Sequence, residues 1–374
     1  MAKAKPLSPA SEPQAALDHR LMGACLRYAR RHRGLTGTNP SVGTLLVQFE
    51  DGEPAIVGRG VTAKGGRPHA ERQAIEEAGN RARGATAYVS LEPCAHHGAT
   101  PPCAQGLIDA GVKRVVTAWI DPDPRVDGKG HAMLRAAGIT VDAGLRAQEA
   151  ALDLAGYLNR KLHGRPQVTL KLAVSSDGFL GVAGKEVAIT GDISRALVHR
   201  LRAEHDGILV GRTTAHTDDP ELTVRLEGLQ SRSPARFILD TNAKLDPNSK
   251  LAQTANSVPT TVITAAMTLP EPLQALGVQQ LTADSHEGRL ALPELLEDLG
   301  ASGMSSLMVE GGAEVARSFM EAGLVDTIAL FEGATTVGAG GIPSPVTLDS
   351  VSDQYQNVRS LKLGDDHLHL FSRI

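Results

Sequence analysis

Two of the three cysteines in the chain, Cys94 and Cys103, stand with eight residues between them in EPCAHHGATPPC, downstream of His69 and Glu71 in PHAE. Thiolate and neutral imidazole are zinc ligands, and a catalytic zinc keeps three protein ligands and leaves one position to water. His69, Cys94 and Cys103 supply three. Pro68 presets a helix that begins near His69, and residues two apart on a helix do not point the same way. The imidazole can therefore bind metal while the Glu71 carboxylate moves the proton of a water whose pKa zinc lowers to about 7. Cys94 follows a strand at Pro93, and Cys103 follows Pro102 at the mouth of the next helix, where the dipole favours thiolate. HxE ahead of a helix with PC after a strand is the pattern of zinc deaminases, whose glutamate is acid and base rather than ligand. The alternative is a closed structural site in which His96 or His97 of CAHHG is the fourth ligand. Cys25 lies on the apolar face of a helix and reads as a small buried hydrophobe.

These residues must be positioned by α/β units. From Leu17 to about Gly34 the apolar spacing predicts a helix, and Asp51-Gly52 joins two β-rich runs, VGTLLVQ and AIVGRGV, as a hairpin. RPHAERQAIEEAG (helix), TAYVSLEP (strand), CAQGLIDAGV (helix), RVVTAWI (strand), GHAMLRAAG (helix) and ITVDAGL (strand) then alternate, which predicts a three-layer sandwich with parallel crossovers. RAQEAALDLAGYLNRKLHGRP reads as one helix ending in a Gly-Arg-Pro break, so the domain boundary falls near Gly164.

With 374 residues, two domains are expected. Lys plus Arg number 38 against 42 acidic residues, a net charge of -4, so no basic field favours nucleic acid. An odd number of cysteines in a long chain argues against a disulfide framework and for the cytoplasm. Residues 1–16 carry lysine and proline without an apolar core and read as a disordered leader, and no apolar run reaches the roughly 18 residues of a membrane span.

The second half opens on the strand QVTLKLAVS and a turn at Ser176-Asp177-Gly178, then continues with ISRALVHRLRAE (helix) and the strands DGILVG, ARFILD and TTVITA. LPELLEDLGA (helix), SLMVEGG (strand), AEVARSFMEAG (helix), DTIALFEG (strand) and DHLHLFSRI complete it. No GxGxxG is present, since GAGGIP near Gly338 lacks the third glycine. Gly311-Gly312 between a strand and a helix would let backbone N–H groups approach a cofactor pyrophosphate, although tight strand-to-helix packing explains the same glycines. VGRTTAHTDDPELTVR gathers Thr214, Asp218, Asp219 and Arg225, a capped loop being the alternative.

TNPSVG, GRPHAE, YVSLEPCAHHGATPPC and DPDPRVDGKG resemble the deaminase domain of the bifunctional riboflavin biosynthesis proteins over about residues 17–150. KLAVSSDG, VHRLRAEHDGILVGRTT, DDPELTVR and MVEGGAEVARSF resemble the reductase domain of the same family over about residues 165–374. Related deaminases of nucleosides and nucleic acids use PCxxC, whereas the long loop ending in HHGxTPPC is characteristic of the riboflavin enzymes. The resemblance implies two α/β domains, a cytidine-deaminase-like three-layer α/β/α sandwich (17–163) and then a dihydrofolate-reductase-like α/β domain (164–374). It implies hydrolytic deamination of a phosphoribosylated diaminopyrimidinone and NADPH-dependent reduction of its ribosyl group to ribityl. One zinc ion would be held by His69, Cys94 and Cys103, with Glu71 as proton donor and acceptor and Asn39 meeting the substrate.

On the matching positions, NADPH would lie near Ala173, Ala188, Thr214, Asp218, Thr241 and the turn of Gly312, Ala313, Glu314, Val315, Ala316, Arg317 and Ser318. Substrate would meet Glu186, Arg202, Leu222, Arg225 and Glu310, and Asp218 would also act in catalysis. The resemblance further implies a homo-oligomer. Ala99 stands where the family's loop carries a basic residue, Thr62 where it carries a histidine, and Glu186 and Ala188 where it carries serine and tryptophan. On those last two, a second reading keeps the deaminase and makes the reductase half inactive or directed at another metabolite.

Overall fold

The computed structural model describes residues 12–50, 53–98, 101–185, 187–351 and 353–374. The chain divides at His163/Gly164 into two compact units. Among the described residues no helix is long and apolar enough to cross a membrane.

The first unit is a five-stranded sheet in the order Glu53–Val61, Gly43–Glu50, Thr86–Val89, Arg114–Thr117, Thr140–Ala143. The first two pairings are antiparallel and the rest parallel. Alternate residues of each strand feed opposite faces, as the strand period requires. Leu46, Ala87, Val89 and Val115 pack with Ala70, Ala74, Ala104, Leu107 and Leu134, from the helices Ala70–Ala78, Cys103–Asp109 and Lys129–Ala136. Leu45, Val47, Tyr88 and Val116 pack with Met22, Cys25 and Leu26 of the opening helix on the other face. Helices on both faces make the expected three layers.

Two boundaries differ from expectation. The opening helix is Glu12–Ala29, so 12–16 belong to it and not to a disordered leader, whose residues 1–11 lie outside those described. Its early start is tied down by side chains. Gln14 donates to Asp18 (2.9 Å), and Asp18 receives both terminal nitrogens of Arg114 (2.9 and 2.7 Å). The closing helix is broken into Ala147–Asp153 and Ala155–His163. Leu154 leaves helical geometry (φ -97°, ψ 2°) and buries its side chain, while Arg30 holds Asp153 just before it at 2.8 and 2.9 Å. The Asp51-Gly52 turn lies outside the described residues.

The second unit is a nine-stranded sheet in the order Gln279–Thr282, Thr260–Thr264, Ala235–Leu239, Gly207–Gly211, Ser306–Val309, Gln167–Val174, Thr327–Glu332, Asp366–Arg373, Tyr355–Leu363. All neighbours are parallel through Thr327–Glu332, and the last two strands return antiparallel. Alternation again separates two faces. Leu170, Leu209, Phe237 and Leu307 pack under Leu295, Leu299 and Phe319 of the helices Leu292–Ala301 and Ala313–Glu321, whereas Ile208, Val210, Ile238 and Val262 pack on the opposite side with Leu251 and Leu273. The edge strands Gln279–Thr282 and Tyr355–Leu363 are absent from the sequence reading. Both are largely exposed, so they lack the apolar alternation that marks the inner strands.

Candidate functional site

In the first unit, the strand Glu53–Val61 presents Gly58 and Gly60 to the helix Ala70–Ala78. A Cβ at either position would come within 2.1 Å of the Ala74 carbonyl oxygen or 1.9 Å of that of Ala70. This close approach seats the helix entry against the sheet. His69 is its extended N-cap (φ -68°, ψ 160°), with Glu71 in the first turn, 3% exposed. Cys94 follows the strand Thr86–Val89 through a loop anchored by Glu92. The Glu92 carboxylate accepts N–H bonds from Gly128 (2.9 Å) and His131 (3.0 Å). Cys103 opens the helix Cys103–Asp109, and its N–H donates to the Cys94 sulfur at 3.2 Å.

His69 Nδ1 lies 3.8 Å from Cys94 Sγ and 3.4 Å from Cys103 Sγ. Tetrahedral zinc, with bonds of about 2.3 Å to sulfur and 2.0–2.1 Å to nitrogen, would set nitrogen and sulfur roughly 3.6 Å apart. The donor set and its spacing both fit zinc. Among the described residues these three side chains form the metal-capable group, their ligand atoms all within 4.8 Å of one another, and neither His96 nor His97 joins it. Three protein ligands with a fourth position for water is the arrangement of a catalytic zinc site.

The electrostatics are those of a buried anionic nest. Hydrogen bonding from Cys103 lowers the Cys94 thiol to about 4 against its burial, with His69 helping, while Cys94 and burial push Cys103 upward. Burial, and then the negative charge at Cys94, raise the Glu71 carboxyl to about 7. A carboxyl poised there can both take and return a proton near neutrality.

A cavity of about 400 Å³ opens over His69, Glu71 and Cys94, and it is also lined by Asn39, Thr62 and His96. Thr62, in the place of the family's histidine, is buried and accepts the Val42 N–H through its hydroxyl at 2.9 Å. Asn39 packs against Gly66, where a Cβ would meet its Nδ2 at 2.2 Å. Ala99 lies outside the described residues. The sequence reading missed Arg125, Arg160 and Lys161, which line the same cavity. Only the spacing of Tyr157, Arg160 and Lys161 along one helix face could have signalled them.

In the second unit, the sequence candidates gather at the carboxyl ends of adjacent parallel strands, the edge at which open α/β sheets bind ligands. Ala173, Gly211, Thr241 and Glu310 sit at or just beyond the ends of four neighbouring strands, and Ala173 pairs with Phe331 of a fifth. Gly211 and Gly311 let two turns touch. A Cβ at Gly211 would lie 2.7 Å from Val315 Cγ2 and one at Gly311 2.6 Å from Val315 Cβ, and one at Gly312 would lie 3.3 Å from Thr214 Oγ1. The turn from Gly312 through Ala313, Glu314, Val315, Ala316 and Arg317 to Ser318 is the N-terminal part of the helix Ala313–Glu321, its N–H groups pointing out from the sheet end. Thr214 belongs to an unexpected short helix, Arg212–Thr217, capped by the exposed Asp218.

Arg202 and Glu310, both read as substrate contacts, bind each other. Arg202 Nε and Nη2 donate to the two Glu310 oxygens at 2.7 and 2.9 Å, with Lys171 Nζ at 3.9 Å. Burial opposes the Glu310 charge, but Arg202 and then Lys171 outweigh it and hold the carboxyl down at about 2. Leu222 is buried in a left-handed turn (φ 54°), and Arg225 reaches Glu221 at the surface (3.2 Å). Ala188 is exposed, its carbonyl accepting from Thr335 at 3.3 Å, while Glu186 lies outside the described residues. Asp240, missed in the sequence, is buried beside Thr241 with Arg212 Nε at 3.8 Å.

Two family models match the chain. The cytidine and deoxycytidylate deaminase zinc-binding region covers residues 15–119 and the RibD C-terminal domain residues 166–369. The riboflavin biosynthesis protein RibD of Aquifex aeolicus is 38% identical over 365 residues, spanning 96% of this chain and 99% of that protein. The structure of Acinetobacter baumannii RibD superposes with a TM-score of 0.83 at 33% identity, covering 96% of this chain and 99% of that one. A Thermotoga maritima structure described as a diaminohydroxyphosphoribosylaminopyrimidine deaminase/5-amino-6-(5-phosphoribosylamino)uracil reductase superposes with a TM-score of 0.84 at 29% identity, over 96% of this chain and 100% of that one.

Proposed function

Because this chain belongs to the RibD family of riboflavin biosynthesis proteins, we propose that His69, Cys94 and Cys103 hold its zinc ion, that Glu71 moves the protons of deamination, and that the strand ends around Thr214, Thr241 and Gly312 hold NADPH. The chain is a bifunctional enzyme, a zinc-dependent deaminase joined to an NADPH-dependent reductase. We take the first reaction to be loss of ammonia from a diaminohydroxyphosphoribosylaminopyrimidine and the second to be reduction of the ribosyl side chain to ribityl. We assign residues 17–163 to the first and 164–374 to the second.

The observation that carries the deaminase assignment is the buried Glu71 beside three metal-capable atoms at zinc spacing. Zinc, when bound, supplies the Lewis acidity that brings the pKa of water to about 7. Glu71 then takes the proton from water and delivers it to the departing amino group. Its burial keeps competing water from the proton, and the pyrimidine occupies the cavity above it. In the reductase, NADPH held at the strand ends around Thr214, Thr241 and Gly312 would supply the hydride. Glu310, held anionic by Arg202, positions the sugar rather than donating to it, and Asp218 delivers the proton to the ring oxygen. Zinc-loaded protein should release ammonia from the phosphoribosylated substrate, and Glu71→Ala should abolish that release while NADPH oxidation on the deaminated product persists. Equal ammonia release by both proteins would overturn the assignment.

We further assign the chain to the cytoplasm, a reading supported by three free cysteines, and to a homo-oligomer, a state that light scattering of the full chain would test.

A further inference from the structure

At the carboxyl edge of the second sheet, one buried acid is left without hydrogen bonds to its side chain. Asp240 follows the strand Ala235–Leu239 and is 1% exposed, and neither of its carboxylate oxygens meets a donor among the described residues. Burying an unpaired carboxylate is costly, so such a group in a folded chain calls for a reason. Its one ion-pair partner among the described residues is Arg212, whose Nε stands 3.8 Å from Oδ1, too far for a hydrogen bond. The parallel register makes them neighbours. Gly211 pairs with Leu239, so the next residues of the two adjacent strands, Arg212 and Asp240, leave the sheet side by side. Arg212 opens the helix Arg212–Thr217, and its side chain is half exposed. A guanidinium carries donors on every nitrogen, and no hydrogen bond among the described residues takes those of Arg212. The pair also lies between groups assigned to the cofactor. Thr241 is the residue after Asp240, and Thr214, two residues past Arg212, faces the turn at Gly312, where an added Cβ would lie 3.3 Å from its Oγ1.

Resting on the reading that these strand ends hold NADPH, we propose that Arg212, held in place by Asp240, binds the 2′-phosphate of the cofactor and sets the preference for NADPH over NADH. The two nucleotides differ in that phosphate on the adenosine ribose. In dinucleotide-binding α/β sheets an acid beyond a strand end accepts the ribose hydroxyl of NAD, whereas a nearby arginine accommodates the phosphate of NADP. Both residue types are present here, and burial decides between them. Asp240 is closed off from a bound ribose, while Arg212 is open to one. The acid therefore acts through the arginine. Its charge draws Nε inward and leaves the planar terminal nitrogens to meet phosphate oxygens in pairs. Arg212 in turn supplies the counter-charge that keeps Asp240 from repelling the phosphate. Asp240 is thus a positioning residue, and Arg212 is the group that touches the cofactor.

The test is steady-state reduction of the deaminated substrate by the full chain with NADPH and with NADH, for the unmodified protein and for Arg212→Gln, Arg212→Lys and Asp240→Asn. Arg212→Gln should lower the ratio of kcat/KM for NADPH to that for NADH by about tenfold or more, through the KM for NADPH, as expected for a lost charged hydrogen bond. Arg212→Lys, which keeps the charge without the planar fork, should recover part of the ratio. Asp240→Asn should shift the ratio several-fold in the same direction as Arg212→Gln. An unchanged ratio in Arg212→Gln would overturn the proposal, and so would an equal loss with both nucleotides, which marks a structural role. Arg212 is half exposed, so its variants carry the test should Asp240→Asn fold poorly. Adenosine 2′,5′-bisphosphate, as a competitor of NADPH, gives a readout free of catalysis. It should inhibit Arg212→Gln about tenfold more weakly than the unmodified protein, while adenosine 5′-monophosphate inhibits both alike. Equal inhibition of both proteins by the bisphosphate would also overturn the assignment. Oxidation of neither nucleotide by the unmodified protein would instead sink the reductase reading on which the proposal rests.

Discussion

Replacing Glu310 by glutamine should destabilise the second unit by about 3 kcal/mol at neutral pH and progressively less in acid. The carboxyl and its partner Arg202 are nearly closed to solvent, with side chains 9% and 12% exposed, and they make two short bonds with Lys171 nearby. Glu310→Gln leaves Arg202 and Lys171 buried without their counter-charge, a loss of about 3–5 kcal/mol for broken buried pairs. The proton linkage gives a matching figure. Arg202 and Lys171 overcome burial and lower the carboxyl from 4.5 to about 2, and at about 1.4 kcal/mol per tenfold in acidity that amounts to about 3 kcal/mol. Because the folded pKa is depressed, the stabilisation is fully present above the unfolded value of 4.5 and is lost as pH falls toward 2. For a unit of this size the loss corresponds to roughly 6–12 °C in Tm. The chain has one tryptophan, Trp119, in the first unit, so fluorescence follows the deaminase and far-UV circular dichroism follows both. The variant should lower the dichroism transition at pH 7 and leave the fluorescence transition in place, and the gap to the unmodified protein should narrow between pH 4.5 and 3. A gap that stays constant over that range would refute the linkage, and no gap at pH 7 would refute the buried pair.

Glu71→Gln should retain zinc, as read by elemental analysis, while deaminase kcat falls about 10²- to 10⁴-fold, the usual worth of a positioned acid–base group. Cys94→Ala and Cys103→Ala should each lose the metal on desalting, whereas Cys25→Ala should keep it. Cys25 is fully buried and donates to the Gly43 carbonyl at 3.1 Å, so its substitution should cost about 1–2 kcal/mol in urea unfolding instead. Gly60→Ala would drive a methyl to within 1.9 Å of the Ala70 carbonyl oxygen, displacing the helix entry that carries His69, and should lower zinc affinity in a competition titration with a chelator. Gly312→Val should raise the KM for NADPH several-fold with ammonia release unaffected, because a branched side chain would crowd Thr214.

The candidate zinc site was legible because its residues are rare in type and fixed in spacing. PHAE and the two Pro-Cys pairs mark a helix entry, a strand exit and a second helix entry, and the fold brings those three ends together. The inner strands were legible for a similar reason, since burial on both faces leaves continuous Val and Ile runs such as RVVT and GILVG. What escaped notice depends on partners far apart in sequence. Arg202 and Glu310 read as two independent substrate contacts, yet 108 residues of chain fold back so that they neutralise each other. Arg125, Arg160 and Lys161 went unremarked in the sequence because only the fold brings the loop and the closing helix to one cavity. The short helix Arg212–Thr217 escaped because a run of Thr and His is weakly helical by itself and here rests on the strand end before it. The closing helix read as continuous although Gly156 stands two residues past the break at Leu154, since a lone glycine within a helical pattern is tolerated.

The central claim, that one chain deaminates a phosphoribosylated pyrimidine at His69, Cys94, Cys103 and Glu71 and then reduces the product with NADPH, is tested most directly by mass-resolved conversion of the substrate with zinc-loaded full-length protein. With NADPH present, ammonia should appear and the product should carry both the amino-to-oxo exchange and the added hydrogen. With Glu71→Ala the starting pyrimidine should remain unconverted, while the deaminated intermediate, supplied separately, is still reduced. Deamination that proceeds unchanged in Glu71→Ala, or an intermediate that NADPH and the intact chain never reduce, would contradict the account.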